Sequence, residues 1–167
     1  MPRMSQANVH DRDEFGRTPL HYAVLDGPDD SANDWKETDP SRREELRRRS
    51  ADFRVANAQR LIAYGADVNA REDEQWTPLH FAAREDSPEV VRLLLDSGAD
   101  PNVINNQGST PISIAVGNTT PTGTTILQLL KDRGADPYLK GEGGVSAVDY
   151  ARMIEDEKVN SVLADVL

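Results

Sequence analysis

The sequence contains no cysteine. Disulfides, thiolate nucleophiles and cysteine-ligated zinc are therefore excluded. Aromatic residues make up only 5% of the chain and hydrophobic residues 37%. That is little for one large central core, but it suffices for a stack of small units that each bury a face against a neighbour. No apolar run is long enough to span a membrane, and Met1-Pro2-Arg3-Met4-Ser5 lacks the apolar stretch of a signal peptide. A cytoplasmic chain with no membrane contact is the expectation. Positive charge is also short. Nineteen Lys and Arg stand against 29 Asp and Glu, a formal net charge of -10. This balance disfavours nucleic acid as the main ligand and favours a basic partner. The 167 residues suit one domain or a short array.

What the chain does have is repetition. Thr77-Pro78-Leu79-His80-Phe81-Ala82-Ala83 returns upstream as Thr18-Pro19-Leu20-His21-Tyr22-Ala23-Val24 and downstream as Thr110-Pro111-Ile112-Ser113-Ile114-Ala115-Val116. Ser146-Ala147-Val148-Asp149-Tyr150-Ala151 is a weaker fourth copy. A second tag, Gly-Ala-Asp, stands at Gly65, Gly98 and Gly134. Thr77 to Thr110 is 33 residues, as is Gly65 to Gly98. On these tags and this period the chain resembles the ankyrin repeat family. The resemblance implies an all-α solenoid of four repeats with β-hairpin-like tips, at about 13–71, 72–104, 105–140 and 141–167.

Residues 1–12 precede the first repeat, and Ala7-Asn8-Val9-His10-Asp11-Arg12-Asp13 echoes Ala66-Asp67-Val68-Asn69-Ala70-Arg71-Glu72. They read either as the hairpin tail of a missing repeat or as a disordered leader. Gly16 stands at a turn that needs positive φ, Thr18 reads as an N-cap, and Pro19 as the first residue of a helix running to about Leu25. The register then breaks. Thr18 to Thr77 is 59 residues, 26 beyond one period, which places an insertion at about 26–56 between the two helices of repeat one. Residues 26–34 are acidic and turn-rich, and Asp39-Pro40 opens a single long helix to Tyr64, closed by Gly65. Leu46, Phe53 and Ala56 form its expected apolar stripe, with Glu44–Arg48 and Glu45–Arg49 as i,i+4 pairs. In repeat two, Gln75 replaces the turn glycine, and Ser87-Pro88-Glu89 opens a helix whose apolar face is Val90, Val91, Leu94 and Leu95. In repeat three the inter-helix loop, Gly117 to Gly123, is longer by three residues. Repeat four, with a polar helix at about 156–165, reads as the C-terminal cap.

Catalytic, cofactor and metal sites are not expected. His21 and His80 fill the motif slot, where the resemblance implies a structural bond to the motif threonine; His10 has no candidate partner. No His-x3-His or Cys-x2-Cys spacing exists. The acidic run 29–34 lacks the glycine and twelfth-position glutamate of a calcium loop. Gly141-Glu142-Gly143-Gly144 lacks phosphate-loop spacing and falls at a hairpin tip.

Function then has to lie on a surface. The resemblance implies a concave face built from hairpin tips and the exposed side of each first helix, used to bind another protein. Its positions here are Glu14, Phe15, Arg17 and Asp26 in repeat one, and Asp73, Glu74, Trp76, Arg84 and Glu85 in repeat two. Repeat three adds Asn106, Gln107, Ser109 and Asn118, and repeat four adds Glu142. Trp76 and Phe15 are aromatic anchors in an acidic rim, which suits a basic protein partner and a chain monomeric when free. The alternative for Trp76 is packing across its own hairpin. Arg43, Arg47 and Arg54 on the inserted helix form a possible second patch for phosphate or carboxylate, against pairing with the acidic segment 26–39 or plain solvation. The long helix could also cover the open N-terminal end of the stack. Some small bacterial ankyrin proteins are immunity proteins that neutralise a toxin, so that role is one expectation. An adaptor or regulatory subunit is another. An enzyme or small-ligand binder using the insertion as a lid, with Asp29 or Asp34 near Arg43, is the competing class.

Overall fold

The computed structural model describes residues 8–28, 38–85, 87–118 and 122–167. Eight helices occupy them: α1 Pro19–Ala23, α2 Pro40–Ala63, α3 Pro78–Arg84, α4 Pro88–Asp96, α5 Pro111–Val116, α6 Gly123–Asp132, α7 Ala147–Ile154 and α8 Glu157–Val162. Among the described residues there is no strand. The odd-numbered helices stack on one another as an inner layer and the even-numbered ones as an outer layer.

Each inner helix starts by the same local chemistry. Thr18, Thr77 and Thr110 hold extended backbone, and the proline that follows sets the first helical φ without wasting an N–H. The Thr77 N–H and hydroxyl both contact Nδ1 of His80, at 3.1 and 2.9 Å. Since Nδ1 accepts the amide proton, the ring proton sits on Nε2, which donates to the Ser109 carbonyl of the next repeat at 3.3 Å. His21 does the same between Thr18 and the Trp76 carbonyl, at 3.2 Å. In repeat three the shorter Ser113 closes the box with its hydroxyl but does not extend to the next repeat.

Two further ladders run along the stack. Asn69 and Asn102 each donate to the next repeat's helix-ending glycine, Gly98 and Gly134, and accept from Asp100 and Asp136. The hairpin tips are tied in series by Asp73 N–H to Phe15 O, Asn106 N–H to Glu74 O and Gly141 N–H to Gly108 O, each 3.0 Å. The last tips approach closely because both are glycine: a Cβ on Gly108 would lie 2.7 Å from Gly144 N. Gln75 takes the turn in the left-handed region at φ 62°, so the hairpin survives the loss of glycine there. The described part of the N-terminal segment joins the same system. Arg12 donates to the carbonyls of Gly16 and Arg71, both at 2.7 Å.

The core is a thin continuous seam rather than a centre. Leu20, Leu79, Val90, Val91, Leu94, Ile112, Ile126, Leu127, Leu130 and Leu163 are fully buried between layers and between repeats. Each such side chain contributes about 1.5–3 kcal/mol.

The long helix runs as one element from Pro40 to Ala63, as expected, and packs on both α1 and α4, so it also serves as the outer helix of repeat one. It departs from expectation in two ways. Its buried side is Ser50, Ala51, Ala58 and Leu61, whereas Phe53 is 38% exposed and Ala56 is exposed. The Leu46, Phe53, Ala56 stripe is therefore not the packing face; the side turned to the neighbouring helices carries Ala51, Ala58 and Leu61 instead. The expected i,i+4 ion pairs are replaced by i,i+3 pairs, Glu44 with Arg47 at 2.7 Å and Arg42 with Glu45 at 3.5 Å. Two helices are also shorter than expected: α1 ends at Ala23 and α8 spans Glu157–Val162.

Candidate protein-interaction surface

Counting from the cap residue gives the equivalent positions of the four repeats on the inner-helix side that the resemblance assigns to a concave face. The residue before each cap is Arg17, Trp76, Ser109 and Val145. Four residues after the cap stand Tyr22, Phe81, Ile114 and Tyr150, and seven after it Leu25, Arg84, Gly117 and Met153. The inner helix presents these positions together because i, i+3 and i+4 share a face.

In repeats one and two the floor is an interleaved aromatic and arginine cluster. The Trp76 ring is half-buried, 5.0 Å from the Phe81 ring and 5.7 Å from the His80 ring. It thus packs on its own inner helix while keeping one part open. Arg84 lies over Trp76 at 5.5 Å and over Phe81 at 5.6 Å. Arg17 crosses from the preceding repeat to lie 5.3 Å from Phe81 and 5.6 Å from Phe15, which is 53% exposed. Stacked guanidinium groups of this kind are held in place by the ring faces yet keep their edges for hydrogen bonding. Arg17 Nε is shielded from solvent with no hydrogen-bond partner. Beside it the Tyr22 hydroxyl donates to the Asp13 carboxylate, which holds Asp13 below the usual carboxylate value and raises the Tyr22 phenol.

Around this cluster Glu14, Asp73 and Glu74 are exposed at the tips, Glu85 is half-buried beside Arg84 at 3.5 Å, and Glu142 is exposed at the fourth tip. Asn106 and Gln107 are exposed at the third tip, with Asn106 donating to the Asp73 carbonyl at 3.3 Å. Ser109 is half-buried. Two residues stand elsewhere than the concave set expected for them. Asn118 points back into the stack, donating to the carbonyls of Ala83 at 2.9 Å and Glu85 at 3.3 Å, so its amide ties repeat three to repeat two. Asp26 sits beside Arg54 of α2; desolvation raises its carboxyl, with the Arg54 charge opposing. That contact joins residues expected in two separate patches. Of the second patch, Arg47 is half-buried against Glu44, Arg54 is half-buried and Arg43 is exposed, so the three do not form one open stripe. Asp29 and Asp34 lie outside the described residues, as does the acidic run as a whole.

His21 and His80 are fully buried, and desolvation lowers both to about 4. They are neutral structural braces at neutral pH. Among the described residues no group of three or more His, Asp or Glu is gathered as a metal could require, and no helix is long and apolar enough to cross a membrane. The sequence reading leaves out Tyr22, Ile114, Val145, Tyr150 and Met153, and the buried Phe81 on which Trp76 and the arginines pack. Aligning the copies at cap−1, cap+4 and cap+7 brings them out.

Residues 51–141 match the family pattern described as ankyrin repeats in three copies. The chain belongs to the ankyrin repeat family. An ankyrin repeat-containing protein of Treponema pallidum is 41% identical over 100 residues, 59% of this chain and 33% of that protein. Protein phosphatase 1 regulatory subunit 27 of Homo sapiens is 41% identical over 51 residues, 30% of this chain and 33% of that one. The 2-5A-dependent ribonuclease of Mus musculus is 47% identical over 62 residues, 36% of this chain and 8% of that one. The first of these matches span about a third of the relative's length. Ankyrin repeats form protein–protein interaction modules, and the family is generally non-catalytic.

Proposed function

We propose that this ankyrin chain acts without catalysis, by gripping a basic polypeptide along its concave face. The observation that carries the reading is the half-open cluster of Phe15, Arg17, Phe81, Arg84 and Trp76, set in a rim of Glu14, Asp73, Glu74, Glu85 and Glu142. Aromatic and arginine side chains dominate interface energetics, and a surrounding acidic field steers a cationic partner into place. Two roles use such a surface equally: neutralising a basic toxin as an immunity protein, or holding an enzyme as an adaptor or regulatory subunit. The naming of one relative as a phosphatase regulatory subunit supports the second.

Partners captured by the full chain and identified by mass spectrometry provide the ligand for the test. Trp76→Ala keeps the His21 bond, because the group that receives it is the Trp76 backbone carbonyl, and a thermal melt of the variant checks that losing the ring's packing on Phe81 and His80 leaves it folded. Binding then weakens at least tenfold, and wild-type affinity weakens further as salt rises. Unchanged affinity in Trp76→Ala removes the cluster as the anchor.

A further inference from the structure

The concave floor changes character between its two halves. At the cap−1 and cap+7 positions repeat two carries Trp76 and Arg84, whereas repeat three carries Ser109 and Gly117. The small Ser109 leaves a gap at the cap−1 position, in a row that is otherwise filled by large side chains, whereas the space over Gly117 is taken by the Tyr150 ring. The gap is a cleft of about 290 Å³, walled by Ile114 of α5, by Tyr150 and Met153 of α7, and by Val145 and Gly144 of the fourth tip, with Ser109 at its edge. Met153 is 71% exposed and Val145 40%. Gly117 lets the Tyr150 wall of the cleft pack close to α5, since a Cβ there would come within 2.9 Å of the Tyr150 ring. The volume lies at the bottom of the ~300–1,000 Å³ range of small-molecule pockets, and the cleft is open along the face rather than enclosed.

Charge on either side selects the occupant. Lys140 is engaged by Asp149 at 2.6 Å, and Arg152 donates to the Leu167 carbonyl at 2.9 Å. Exposed Glu142 stands on the tip side and exposed Glu155 beyond Met153. A flexible methionine at the mouth adapts to the shape of an apolar guest. We infer that this cleft receives a single large apolar side chain of the partner polypeptide, flanked in that polypeptide by basic residues. The inference rests on the concave-face reading above and adds the residue that fixes the partner's register along the groove, with Trp76 and its arginines gripping one end and the cleft the other.

The test uses a random 12-residue phage-displayed peptide library selected on the full chain. Selected peptides carry Leu, Ile, Met or Phe at a constant spacing from Arg or Lys. Replacing that apolar residue by Ala in the synthetic peptide weakens binding to the wild type at least tenfold. On Ser109→Trp, which fills the cleft as Trp76 does in repeat two, the same replacement changes binding less than twofold. Val145→Asp, at an exposed site, gives the same loss of discrimination and guards against a folding effect in Ser109→Trp. Peptides with no constant apolar residue, or an equal alanine effect on the filled variants, overturn the inference and leave the acidic-face reading standing. Apolar selection without basic residues supports the cleft and refutes the basic partner. Failure to select any peptide refutes both. If the wild-type chain sediments as a dimer and Ser109→Trp as a monomer, the cleft belongs to a second copy and the inference falls.

Discussion

The two motif histidines make this fold sensitive to mild acid, and the size of the effect follows from their geometry. Nδ1 of His21 and of His80 accepts the cap threonine's N–H, and Nε2 donates to a carbonyl one repeat further on. A second proton on Nδ1 would face an amide proton inside a dry seam. Both rings are accordingly lowered from 6.5 to about 4. Above pH 6.5 they are neutral in the folded and the unfolded chain alike, so the stability they provide is fully present. As pH falls from 6.5 toward 4 the unfolded chain takes up protons that the folded chain refuses, and stability is lost across that window. At pH 5 the loss is about 2 kcal/mol per ring, or about 4 kcal/mol for the pair. Against a typical total of ~5–15 kcal/mol this is a large share. Urea melts at pH 7 and pH 5 read it directly. With an m-value of ~2 kcal/mol/M the midpoint falls by about 2 M. Asp13, Asp149 and Asp165, held down by Tyr22, Lys140 and Lys131, lose their contributions only below the ordinary carboxylate value of 3.8. Asp26, raised by burial, acts in the opposite sense. The control is the double variant His21→Ser, His80→Ser, built on the box that Ser113 already makes in repeat three. It starts less stable but loses little between pH 7 and 5. A double variant that loses as much as the wild type, or NMR titration of either ring near 6.5, refutes the reasoning.

Four substitutions test the turns and joints of the stack. Gly108→Ala combines φ 72° with a Cβ only 2.7 Å from the Gly144 backbone, whereas Gly134→Ala has φ 84° and open space. Thermal unfolding should show the first destabilised by at least about 3 kcal/mol and the second by about 1 kcal/mol. Gln75→Gly removes the left-handed strain of a side chain at φ 62° and raises stability by about 0.5–1 kcal/mol in urea, despite losing the 3.3 Å bond from Arg71. Asn118→Ala leaves the Ala83 and Glu85 carbonyls without their donor; a loss of about 1–2 kcal/mol is expected, with faster amide exchange at the end of α3.

The period of Thr-Pro-Leu-His and Gly-Ala-Asp was enough to mark out the repeats and their helix starts, and the family resemblance it carries implied the bond of His21 and His80 to the cap threonine, though not their Nε2 bonds to the next repeat. Those features depend on residues within one turn of each other: a cap three residues from its histidine, a proline after the cap, a glycine at the helix end. The same locality located Pro40 as the start of α2 and Gln75 as the residue standing in for the turn glycine, whose φ of 62° the structure supplies. Other features required the stack itself. Which side of α2 is buried depends on where α1 and α4 pack, and that side carries Ala51, Ala58 and Leu61 rather than Phe53. Asn118 resembles any exposed loop residue until repeat two places two carbonyls within its reach. Trp76 is decided the same way: its neighbours Phe81, His80 and Arg84 bury one part of the ring and leave the rest open. The cleft beside Ser109 belongs to no single repeat, because its walls come from α5, α7 and the fourth tip together. Short-range hydrogen bonding writes itself into sequence as a repeating pattern, whereas the shape of a surface depends on distances between side chains about a full repeat apart.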